Sequence, residues 1–167
     1  MVFSSSVFLI VFLPITLLAY FIVPARFIKA RNSVLLAASL VFYGWGEPKY
    51  ILIMIFSIVF NYVCGLAAGK NRSKAVLILC VVGNLALLGY FKYTDFVLET
   101  VNRLAEAGLA LPGIALPIGI SFYTFQTMSY VIDVYRGKVE AQRDIITFGT
   151  YVTLFPQLIA GPIVRYS

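Results

Sequence analysis

Histidine does not occur anywhere in this sequence. That excludes histidine-based acid–base catalysis and histidine metal ligation within the chain. Charge is scarce as well. Only 12% of the 167 residues are charged, where a soluble domain carries about 25%. Cysteine is limited to Cys64 and Cys80, both inside apolar runs, which suits small buried hydrophobes better than a disulfide or a metal pair. No glycine-rich phosphate loop and no aromatic–basic pattern of a nucleic-acid binder is present, so nucleic acid is not an expected partner. The hydroxyls are many, but no histidine stands ready to activate one, and no lysine has an obvious partner for that role. No catalytic residue and no metal ligand is therefore assigned.

What remains is apolar. The chain is 61% hydrophobic and 16% aromatic, with a mean hydropathy of +0.94. The expectation is an all-α, polytopic membrane helix bundle in contact with lipid. About six apolar segments are expected, with one amphipathic surface helix and a broken segment near the C-terminus. Segment one covers Phe3–Val23, with Pro14 as a candidate kink and no basic leader of a cleaved signal peptide. Segment two, Ser33–Trp45, is short and ends in the surface turn Tyr43-Gly44-Trp45-Gly46-Glu47-Pro48. Segment three, Lys49–Ala68, holds Asn61, and segment four, Ala75–Tyr90, holds Asn84. The two asparagines are expected to bond between helices, with the lining of a substrate path as the alternative.

Lys92–Gly113 reads differently. Val97, Val101, Leu104 and Ala105 share one face, while Asp95, Glu99, Arg103 and Glu106 point elsewhere, as in a helix lying on a membrane surface or in a solvated loop helix. Segment six starts near Ile145. Pro156, Gly161 and Pro162 then argue for a broken or re-entrant run over Phe155–Arg165, with an ordinary helix end as the alternative.

The stretch that organises the rest is Leu116–Arg136. It is long enough to cross a bilayer as a helix, yet Gln126, Ser129, Asp133 and Arg136 fall within roughly 80° on one face. Polar groups in hydrocarbon cost several kcal/mol each unless they meet partners or water, so this face should turn inward. Asp133 is at the right spacing to pair with Arg136. Gln126, Ser129 and Asp133 are the candidates for lining a cavity or tunnel.

Nine of the thirteen Lys and Arg fall in three clusters: Arg26, Lys29, Arg31; Lys70, Arg72, Lys74; and Arg136, Lys138, Arg143. Alternating spans put all three on one side. The positive-inside rule then makes that side cytoplasmic and the N-terminus external.

Five phrases in order carry a resemblance. They are Phe42-Tyr43-Gly44-Trp45-Gly46-Glu47-Pro48, Leu88-Gly89-Tyr90-Phe91-Lys92-Tyr93, Pro117-Ile118-Gly119-Ile120-Ser121-Phe122-Tyr123-Thr124-Phe125-Gln126, Tyr130-Val131-Ile132-Asp133-Val134-Tyr135-Arg136 and Phe155-Pro156-Gln157-Leu158-Ile159-Ala160-Gly161-Pro162-Ile163. Together they resemble the N-terminal part of bacterial membrane-bound O-acyltransferases, in the branch containing the alginate O-acetyltransferase membrane subunit. The resemblance covers residues 1–167 and implies the N-terminal part of one domain in a bacterial inner membrane. It further implies passage of an acyl group, acetyl foremost, through the membrane for O-acylation of a cell-surface polysaccharide. No bound cofactor is implied. The donor would be acetyl-coenzyme A or another acyl thioester, and a periplasmic or surface acetyltransferase would be the partner. Members of the family are about three times longer and place a catalytic histidine in the later half, so the resemblance implies a partial chain, inactive alone. A non-enzymatic scaffold subunit or part of a transporter are the competing readings.

Overall fold

A computed structural model describes residues 5–105, 108–160 and Tyr166. Among the described residues the regular structure is helical throughout. A π-helical turn, Phe8–Phe12, leads into α1 (Leu13–Ile22); α2 (Ile28–Gly46), α3 (Ile51–Asn71) and α4 (Lys74–Ala105) follow. An extended return then leads to α5 (Ile120–Tyr135), α6 (Ile145–Thr153) and α7 (Phe155–Ala160). Two helices are long and apolar enough to cross a bilayer, Ile51–Lys70 and Lys74–Ala105. Their outward faces carry exposed residues such as Leu52, Phe56, Ile78 and Leu79, the surface of a membrane protein.

Several boundaries depart from the sequence expectation. In the described part of segment one, Pro14 sits at the start of α1, directly after the π-helical turn, where its missing N–H leaves few bonds unmade. The short second segment is a 19-residue helix. Lys29 and Arg31, expected in a loop, lie in its first turn, because their long side chains leave the helix to find partners. Arg31 Nε donates to the Val23 carbonyl that ends α1, and its guanidinium lies 4.8 Å from the Tyr20 ring centre. Lys29 Nζ lies 3.6 Å from the Asp144 carboxylate, which also caps α6 by accepting from the Ile146 N–H.

The expected amphipathic surface helix is not a separate element. Its described first part continues α4 without a break, giving a helix of 32 residues, about 48 Å long at 1.5 Å per residue. The composition changes near Lys92, but no proline interrupts the backbone there. Beyond Gly108 the chain doubles back. Asn102 accepts from the Leu109 N–H and donates to the Leu109 carbonyl, both at 2.7 Å, and the Asp95 carboxylate accepts from the Ile114 N–H. The organising helix is shorter than expected. Pro117 and left-handed Gly119 (φ 77°) delay its start to Ile120, and 16 residues reach about 24 Å.

The core forms where α5 packs on α3 and α4 while α6 packs on α2 and α3. Asn61 and Asn84 form a reciprocal amide pair between α3 and α4, at 3.1 and 2.8 Å, both fully buried. Each also donates to the carbonyl four residues earlier in its own helix, and the Cys80 thiol donates to Asn61 Oδ1. Both cysteines are free and buried, as expected. Asn61→Leu alone should cost about 1–3 kcal/mol, since it strands a buried amide. Asn61→Leu with Asn84→Leu should cost less than the sum, because the stranded group goes too. Unfolding in mixed micelles along the double-mutant cycle measures both values.

Candidate functional site

Helix α5 is buried on most of its circumference. Ile120, Tyr123, Thr124, Gln126, Thr127, Tyr130, Val131 and Val134 face protein, while Phe122 and Phe125 are exposed. The apolar exposed pair and the polar buried face are the division expected of a helix with one lipid-facing side.

The polar stripe occupies the inner side. Gln126 is 3% exposed, and its Nε2 donates to the Tyr151 carbonyl of α6 at 2.8 Å. Ser129 is half-buried and donates to the Gln126 carbonyl at 2.8 Å. Asp133 lies one turn further on. The structure pairs it with Lys138, 3.9 Å away, and not with Arg136 as expected. The helix ends at Tyr135, and the turn at Gly137 brings Lys138 back, so that its backbone N–H also donates to the Asp133 carbonyl. Gln126 therefore bonds across to α6, Ser129 bonds back to its own helix, and Asp133 marks the end of the same stripe.

Residues not singled out from the sequence complete this region. The Tyr130 ring packs tilted against Phe148, with centroids 4.8 Å apart, and its hydroxyl accepts from the Gln142 N–H at 2.8 Å. Tyr166 packs edge-on against Tyr130 and Tyr151, and its hydroxyl accepts from Gln142 Nε2. On the other side of α5, the buried hydroxyls of Tyr43 and Tyr123 face each other, and the Thr124 hydroxyl is buried with no hydrogen-bond partner among the described residues. A tyrosine in an apolar run gives no sequence signal of which end is bonded, so neither group could be read in advance.

A break in the helix falls one residue before the expected run, whose described part, Phe155–Ala160, is the short helix α7. Leu154, at φ −50° and ψ 109°, interrupts the helix between α6 and α7. The freed groups are met inside the protein: the Leu154 N–H donates to the Thr150 carbonyl and the Phe155 N–H to Ser39 Oγ. Phe155 is buried among Phe8, Phe12 and Phe42 at 5.4–5.9 Å, which shields the break. The rest of the expected run, Gly161–Arg165, lies outside the described residues.

Among the described residues no three His, Cys, Asp or Glu side chains gather as metal ligands. Chemically, the site offers hydrogen bonds along a buried helix face, between a lipid-facing exterior and a basic end. Members of the three basic clusters come near one another. Lys29 pairs with Asp144, Tyr62 donates to the Arg143 carbonyl, and Lys70, Arg72, Lys138 and Arg143 line one cavity.

Such a fold describes a helical membrane protein whose α5 keeps a polar face turned into the protein. Its relatives are more specific. The chain is 46% identical to the probable alginate O-acetylase AlgI of Pseudomonas aeruginosa, over 100% of this chain and 33% of that protein. It is 45% identical to the probable alginate O-acetylase AlgI of Azotobacter vinelandii, over 99% of this chain and 34% of that protein. It is 34% identical to the peptidoglycan O-acetyltransferase of Helicobacter pylori, over 100% of this chain and 37% of that protein. The chain spans about a third of the length of the curated relatives it matches. Along its whole length the chain is thus similar to part of bacterial alginate and peptidoglycan O-acetylating proteins. No family model matches the chain, and no solved structure matches it.

Proposed function

We propose that this chain forms part of a membrane O-acyltransferase. In that reading it helps pass an acyl group, acetyl foremost, across a bacterial inner membrane for O-acylation of a cell-surface polysaccharide such as alginate. The observation that carries the reading is the likeness to O-acetyltransferases along the whole chain. The buried stripe of α5 supports it. A polar acyl carrier cannot cross hydrocarbon unaided, and a path shielded by protein removes the desolvation cost. Further apolar helices besides α3 and α4 cross the bilayer. The basic end faces the cytoplasm, where positive loops are retained, and the N-terminus lies outside.

The donor in this proposal is acetyl-coenzyme A or another acyl thioester, met at the basic end. A periplasmic or surface acetyltransferase receives the group and hands it to the glycan. Gln126, Ser129 and Asp133 line the path. With no histidine in the chain, proton transfer at the acyl group falls to residues outside it, so this chain alone transfers nothing.

Deleting the gene should remove most of the base-labile acetate from the surface polysaccharide. Release by mild alkali and quantification of acetate reads this directly. Acetate at the parental level would overturn the proposal.

A further inference from the structure

At the basic end a concave cavity of about 700 Å³ opens between the end of α3 and the loop after α5. Its charged lining is four cations, Lys70, Arg72, Lys138 and Arg143, and one carboxylate, Glu140. Lys138 leans on Asp133 at 3.9 Å. The other three cations have no carboxylate within ion-pair distance among the described residues.

The cup is built rather than incidental. Arg72 caps α3 in the left-handed conformation, φ 44°, with its N–H donating to the Ala68 carbonyl. Its guanidinium lies across Gly137, itself at φ 71°, so closely that a Cβ there would stand 2.7 Å from Nη2. Gly69 lets the loop approach in the same way, since a Cβ at that position would be 2.8 Å from Ala141. Two glycines therefore let the loop lie close against α3 and leave room for the Arg72 guanidinium along the wall. A planar guanidinium and two or three further cations around one concavity match the charge and the several acceptor oxygens of a phosphate. The place fits too: the ends of membrane-spanning helices sit at headgroup level, where phosphates are the abundant anions.

We infer that this cup binds a phosphate group, carried either by an anionic phospholipid or by a soluble phosphate compound. The inference stands on the cup alone and does not require the transferase reading.

The full chain in nanodiscs of neutral phosphatidylcholine is titrated with pyrophosphate by calorimetry. Saturable binding is expected. Lys70→Gln with Arg143→Gln, both exposed and so without a folding role, should weaken it about tenfold or more. Arg26→Gln with Lys49→Gln removes the same charge outside the cup and should change it by less than about twofold. In discs that carry phosphatidylglycerol, native mass spectrometry reads the source. Lipid kept by the wild-type chain and shed by the cup variant assigns the phosphate to a headgroup; equal retention assigns it to a soluble compound. No saturable pyrophosphate binding, or equal loss in both double variants, would overturn the inference.

Discussion

Gly65→Leu is expected to unfold or rearrange the α3–α5 contact. Gly65 is buried where these helices cross, and even an alanine Cβ there would stand 2.7 Å from Tyr130 Cε1. Tyr130 cannot swing away. It is 1% exposed, packed on Phe148 and Tyr166, and tied through its hydroxyl to the Gln142 N–H. Overpacking a tight core costs typically about 1–3 kcal/mol, which is the range expected for Gly65→Ala. Leucine adds three more carbons against the same ring and should exceed that range. In membranes, small residues are what let helix backbones approach. Thermal unfolding of the purified variants measures the effect. Gly65→Leu melting within about 2 °C of the parent would mean that the helices do not meet as described.

Gln126→Leu should lower acyl transfer about tenfold or more in an active acyltransferase carrying this chain, while leaving insertion unchanged. The stability cost is about 1–3 kcal/mol, since the Tyr151 carbonyl loses this donor, while leucine nearly fills the same volume. The functional cost has two causes. The amide is the deepest strongly polar group of the stripe, and its bond to the Tyr151 carbonyl sets where α6 stands relative to α5. A misplacement of about 1 Å at a reacting path can cost as much as a hundredfold in rate. Membrane-fraction immunoblotting reads insertion, and acetate on the polysaccharide reads transfer. Unchanged turnover would reduce the stripe to a structural contact.

Much of the fold is legible in the residues. Asn61 and Asn84 announce a helix contact because an amide in an apolar run needs a partner, and each supplies the other's. Gln126 in an otherwise lipid-compatible helix announces an inner face, and it is buried. Boundaries were harder to read, because composition and backbone change at different places. Near Lys92 the side chains turn polar while the helix runs on. At Lys29 and Arg31 charges sit inside a helix because they pair with Asp144 and the Val23 carbonyl, far away in sequence or across a turn. Asp133 found Lys138 instead of Arg136 because the left-handed Gly137 reverses the chain. The aromatic group around Tyr130 and Phe148 draws on two helices and the Tyr166 position, a long-range fact that spacing does not encode.

One test decides whether the polar face of α5 is shielded from the bilayer. The chain is reconstituted with a phospholipid bearing a carbene precursor near the end of one acyl tail, photolysed, and mapped by mass spectrometry. Adducts are expected on Phe122 and Phe125, and none on Gln126, Thr127 or Tyr130. Strong labelling of Gln126 with little on Phe122 would contradict that shielding.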